Sequence, residues 1–148
     1  NHSFEHIEEQ LSTLKDISTH LSDDGICIIR IPIVSSYAWE KYRVNWVQID
    51  APRHFYVHSI DSMKYLTQKA GLKIDTIEYD SEAFQFWASE QYQQGIPLKA
   101  PNSYSEDYKK SIFKEEQILE FIKKAKDLNK TNQGDQAVFV ITKEKNNI

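Results

Sequence analysis

A chain of 148 residues with a formal charge of −4 and one cysteine fits a single domain. That charge gives no general attraction for nucleic acid or an anionic membrane, and the lone Cys27 excludes a disulfide framework or a Cys-rich zinc site. No stretch approaches ~18 uninterrupted apolar residues, so no membrane span is expected, and without a signal-peptide pattern a reducing cytoplasm fits best.

Leu11, Leu14, Ile17 and Leu21 recur every three or four residues, which predicts a helix over 7–21 with Glu8 and Glu9 in its favourable first turn. Asp23-Asp24-Gly25 makes a turn, and the β-branched run 26–33 reads as a strand covered on both faces, its ladder ended by Pro32. Residues 34–58 show no clear period. They hold Tyr37, Trp39, Tyr42, Trp46, Phe55 and Tyr56 around Pro52-Arg53-His54, and read as a long aromatic loop where α/β enzymes place binding residues.

Ser59 caps a second predicted helix, 60–70, with Gly71 at its left-handed exit. Leu72–Tyr79 alternates as a second strand. A helix over 82–94 is broken by Gly95, Pro97 and Pro101. Ile118, Phe121, Ile122, Ala125 and Leu128 give the stripe of a helix over 114–129. Gly134-Asp135 turns the chain into a last strand, Gln136–Lys143, and a polar tail, 144–148, is expected to fray. Seven lysines against four acidic residues over 109–130 read as a solvated helix face rather than a polyanion site. The helix between the first two strands favours a parallel relation between them.

These residues resemble the second half of class I S-adenosylmethionine-dependent methyltransferases. His2-Ser3-Phe4-Glu5-His6-Ile7 is similar to the segment after that family's fourth strand, in the branch with a His/Glu-x-x-Glu-His signature. Asp23-Asp24-Gly25 stands where the family has Pro-Gly-Gly, before a fifth strand ending in Pro. Asp50-Ala51-Pro52-Arg53-His54-Phe55 resembles its D-x-P-R-H-[LF] loop, Ala70-Gly71-Leu72 its step into the sixth strand, and Gly134-Asp135 precedes the seventh. The resemblance covers the whole chain in order. The sequence opens at Asn1 in mid-motif, so further chain upstream is expected.

The resemblance implies an α/β, partial Rossmann-like methyltransferase fold: a three-stranded mixed sheet of the fifth, seventh and sixth strands, with flanking helices. It implies one partial domain over 1–148 with a helical insertion at about 82–134. S-adenosylmethionine is the implied cofactor, touched here by His2, Ser3 and Phe4. No G-x-G-x-G loop occurs in these residues, so they are expected to be inactive without an N-terminal half.

On a helical turn, His2, Glu5 and His6 face one direction. In some relatives, small-RNA 2′-O-methyltransferases and certain ubiquinone-pathway O-methyltransferases, the matching Glu-x-x-Glu-His binds a divalent metal. His2 replaces the first Glu, and His54 or His58 is the implied further ligand. Such imidazole-rich sets suit Zn²⁺, Fe²⁺ or Ni²⁺ better than Mg²⁺. The alternative is that Glu5 and His6 cap the helix and fix the cofactor loop.

His54 and His6 are the candidate catalytic residues, with His54 near neutrality suited to a general base. Arg53 suits bidentate contact with an acidic or phosphorylated acceptor. The alternative for both loop residues is anchoring. Trp46 and Tyr42, with Trp39, would stack on a sugar or ring, or pack in the core. Phe84, Phe86, Trp87, Tyr92, Tyr104 and Tyr108 of the insertion would wall a substrate or cover the sheet.

The leading reading is the acceptor-side portion of a methyltransferase acting on oxygen or carbon of a small-molecule or carbohydrate-linked acceptor, nucleic acid being disfavoured by the charge. The rivals are a non-catalytic methyltransferase-like domain that binds a partner or metal, and a metal-dependent RNA methyltransferase. The strand over 26–33 would lack its fourth-strand neighbour, and an open edge invites pairing with a second chain. Light scattering is expected to report self-association; a monomer at high protein concentration excludes it.

Overall fold

The computed structural model describes residues 2–144; Asn1 and residues 145–148, most of the tail expected to fray, lie outside. Its elements in chain order are α1 (Gln10–His20), β1 (Cys27–Pro32), α2 (Tyr37–Tyr42), α3 (Ile60–Lys69), β2 (Leu72–Tyr79), α4 (Phe84–Gln93), α5 (Glu115–Lys130) and β3 (Gln136–Lys143). The chain forms two compact units. One comprises Asn1–Ser35, Ala51–Glu78 and Gln136–Ile148; the other comprises Ser36–Asp50 and Tyr79–Asp135.

The first unit is an α/β layer with strand order β1-β3-β2. β1 pairs antiparallel with β3, from Cys27 opposite Ile141 to Pro32 opposite Gln136. β2 flanks the other side of β3, and Glu144 N–H donates to Gly71 C=O at 3.2 Å where the two ends meet. β1 and β2 thus run in the same direction across β3, as the helix between them predicts. Ser59 and Ser62 close a reciprocal capping box on α3, each accepting the other's backbone N–H at 3.0 Å. Gly71 then takes φ +73, a left-handed exit that costs glycine little.

The core of this unit joins Leu14 of α1 and Met63 of α3 to Ile29, Ile31, Ile33, Ala137, Phe139 and Ile141. The other face of β1 is open at its start, with Ile26 just before the strand and Ile28 within it 59% and 54% exposed, while Arg30 is half-buried and Pro32 buried. This corrects the reading of a strand covered on both faces: a continuous apolar run permits a second layer but does not supply one. The outer edge of β1 is bounded at two points. His2 N–H donates to Arg30 C=O at 3.0 Å, and Val34 N–H to His58 C=O at 2.8 Å, beside a parallel bridge between Ile33 and His58. Backbone groups alternate sides along a strand, so Pro32 shares this outer edge with Arg30, and its missing N–H removes no bond to β3.

The second unit is helical. Residues 34–58, expected as loop, contain α2, capped by Ser36 Oγ accepting Trp39 N–H at 3.3 Å, then two short 3₁₀ turns at Arg43–Asn45 and Val47–Ile49. Six residues are too few to display a helical period. Buried Gln91 holds the 98–106 segment: its Nε2 donates to Ser103 Oγ at 3.0 Å and its Oε1 accepts Tyr104 N–H at 2.8 Å. Asn129 clamps Ser81 through paired bonds, both 3.0 Å.

Gly134 lies against this clamp. A Cβ there would overlap Asn129 Oδ1 and stand 2.6 Å from Ser81 Oγ. Gly134→Ala is therefore expected to destabilise by about 1–3 kcal/mol through overpacking, seen as a lowered thermal midpoint. An unchanged midpoint would show that the clamp yields freely.

Candidate functional site

The site in the first unit is built on the 3₁₀ turn Phe4–His6. Gln10 Nε2 donates to Phe4 C=O at 2.8 Å, and Gln10 Oε1 accepts from His58 Nε2 at 2.7 Å. Because that oxygen only accepts, Nε2 carries the proton; His58 Nδ1 faces Ser62 Oγ at 2.9 Å. Burial lowers the His58 pKa, favouring the neutral ring. Phe55 N–H donates to Glu5 C=O at 2.9 Å. His6 Nδ1 donates to Arg53 C=O at 2.8 Å, which leaves the His6 Nε2 lone pair available.

Glu5 is 1% exposed, and neither of its carboxylate oxygens accepts a hydrogen bond from a described residue. His2 Nδ1 stands 3.3 Å from Oε1, within range of charge attraction but not aligned as a hydrogen bond. One ligand atom each from Glu5, His6 and His54 lie within 4.8 Å of one another, and the His6 and His54 rings meet edge to face at 4.8 Å. In a tetrahedral site with ligands at about 2.1 Å the ligand atoms stand about 3.4 Å apart, so separations shortened by up to about 1.4 Å would close the set. The donor set thus fits a cation, and a buried carboxylate without a donor is costly without one.

The structure selects among the histidines named from the sequence. His54 joins Glu5 and His6; His58 does not, since both its ring nitrogens are engaged elsewhere. His2 has φ +50 and lies outside the turn, so the helical i, i+4 relation to His6 is not made. His2, Ser3 and Phe4 line a cavity of about 170 Å³ with Cys27 and Arg30, Phe4 itself being buried. Arg53 is exposed beside the cluster.

A family model described as a methyltransferase domain matches residues 1–77, more than half of the chain and the whole of this cluster. The chain belongs to that family. No curated protein matches it.

The remaining candidates of this methyltransferase-domain chain sit in its second unit. Trp46 is buried and its Nε1–H donates to Asp135 Oδ2 at 2.9 Å. Tyr42 is buried too, with its hydroxyl donating to Glu90 Oε1 at 2.8 Å, an oxygen that also receives Lys41 Nζ at 2.8 Å. Burial, then the Glu90 carboxylate, push the Tyr42 pKa up. Trp39 meets Trp46 at 6.2 Å, with Arg43 over its ring. Gln10 and Asp135 were not foreseen as anchors. Gln10 carries no signal beyond a polar residue at a helix start, and Asp135 reads from sequence as half of a turn.

Burial raises the Asp135 pKa to about 6, against the hydrogen bonds from Trp46 and Ser81. With an unfolded value of 3.8, the native state holds the extra proton between the two. The stabilisation is full below the unfolded value and lost as pH rises through about 6, a span of about 3 kcal/mol. Denaturant unfolding at pH 4.5 and 7 should show Asp135→Asn losing less stability over this range than the parent. Parallel losses in the two proteins would exclude Asp135 as the titrating group.

Proposed function

We propose that this chain is the C-terminal, acceptor-side portion of an S-adenosylmethionine-dependent methyltransferase acting on a hydroxyl of a small-molecule or carbohydrate-linked acceptor. In this reading Glu5, His6 and His54 hold a divalent cation of the Zn²⁺, Fe²⁺ or Ni²⁺ type. The observation that carries it is the buried Glu5 carboxylate, which accepts no hydrogen bond from the described residues and faces two imidazoles inside a methyltransferase domain. The strand order, with the last strand between the other two, supports the C-terminal placement, as do the motifs in sequence order.

When bound, S-adenosylmethionine supplies an electrophilic methyl group, and the cation would supply positive charge that lowers the pKa of a nearby hydroxyl. The residues of this chain do the rest. Glu5 and His6 fix the cation, with the His6 ring oriented by Arg53 C=O. Arg53 meets an anionic part of the acceptor. His54 would complete the cation set; in a metal-free site its ring would instead take the hydroxyl proton as the methyl–oxygen bond forms and the methyl–sulfur bond breaks, releasing a neutral thioether.

Calorimetry tests both halves of the reading. Zn²⁺ is expected to bind the chain at one equivalent, with affinity falling at least about tenfold in Glu5→Gln. Equal uptake by the variant would leave His54 as base and remove the cation. S-adenosylmethionine is expected to bind a version extended upstream and not this chain alone; tight binding to the chain alone would overturn the C-terminal assignment.

A further inference from the structure

The second unit contains two adjoining cavities that no residue of the Glu5 cluster lines. The first, about 570 Å³, is walled by Phe84, Trp87 and Tyr104, with Glu82 and Lys126 among its polar groups. The second, about 670 Å³, is walled by Tyr104, Tyr108 and Phe113, with Lys109, Lys114 and Glu115. Tyr104, Ile118 and Ile122 line both, so the two form one groove along α5. Each is of the size that takes a small organic ligand.

The groove has the character of a ring-binding surface. Ring centroids run from Phe84 to Trp87 at 5.0 Å, on to Tyr104 at 5.3 Å and to Phe113 at 6.4 Å. Trp87, Tyr104 and Phe113 are only half-buried, and Tyr108 is 64% exposed. Core aromatics would be enclosed; these keep a side open to solvent. The surface is also held in place, because fully buried Gln91 fixes the backbone of Tyr104. Preorganised rings offer stacking area at little entropic cost.

Charge narrows the ligand. Lys99, Lys110 and Lys130 each pair with a carboxylate. Among the described residues, Lys109, Lys114 and Lys126 have no such partner, and they line the groove against two carboxylates, Glu82 and Glu115. The groove is thus net cationic on a chain of formal charge −4.

We propose that this groove binds a phosphorylated ring compound, the ring against Trp87 and Tyr104 and the phosphate at Lys109 and Lys114. The site does not depend on the cation or the methyl transfer, and its test reads binding alone. Calorimetry on the whole chain would compare 2-naphthyl phosphate, glucose 1-phosphate and inorganic phosphate. At least one of the two ring phosphates is expected to bind saturably, and about tenfold more tightly than inorganic phosphate. The tighter of the two tells an aryl from a glycosyl ligand. Lys109→Glu with Lys114→Glu, both exposed, should weaken it about tenfold or more, and Tyr104→Leu should weaken the ring phosphates while leaving inorganic phosphate unchanged. Absence of saturable binding, or affinity unmoved within about twofold by the lysine pair, overturns the proposal; so does inorganic phosphate binding as tightly as the ring compounds.

Discussion

All pairing in the sheet passes through β3. β1 and β2 do not touch each other as a ladder; each is hydrogen-bonded to the strand between them. A two-stranded ribbon is marginal in water, and a third strand with an apolar face is what makes such a sheet independently stable. The burial pattern of β3 reflects this, with Ala137, Phe139 and Ile141 all fully enclosed. α1 and α3 pack on each other, and the turn that carries Glu5 packs against β1, which is itself paired with that central strand.

The Glu5 turn shows a second constraint, working against stability. Gln10 from α1, His58 from the approach to α3, and the backbones of Arg53 and Phe55 together hold the turn by hydrogen bonds. What they hold is a buried carboxylate that accepts no hydrogen bond from the described residues, with His2 Nδ1 at 3.3 Å. A protein selected for stability alone would place an apolar residue or an amide there. The surrounding bonds offset that local cost and keep the imidazoles in register. Functional sites commonly concentrate strain and polarity in this way.

Much of the architecture was legible from periodicity. The stripe of α5, the Ser59 cap, and both Leu72–Tyr79 and Gln136–Lys143 follow from spacing and turn residues; α1 follows in part, since it starts at Gln10, leaves Glu8 and Glu9 outside its first turn and has Leu11 exposed. The departures share one cause: sequence patterns report what a residue prefers, not which neighbour arrives. Nothing local to His54 and His58 says that one meets Glu5 while the other turns to Gln10 and Ser62. Gln10 looks like a solvent-facing polar residue, yet it is buried because two partners converge on it from distant positions. The apolar run through Ile26 and Ile28 could not announce that one face stays open at its start. α2 was lost to its own brevity.

The division of the chain between its units has a genetic corollary. The backbone passes from one unit to the other after Ser35, Asp50, Glu78 and Asp135, so neither is a contiguous stretch of sequence. A single recombination breakpoint cannot exchange either one whole. Each crossing interrupts both, and any transfer of the helical unit between relatives needs two coordinated insertions. Variation in the helical unit should therefore accumulate by substitution and by growth or loss at loop tips, with its borders inherited together.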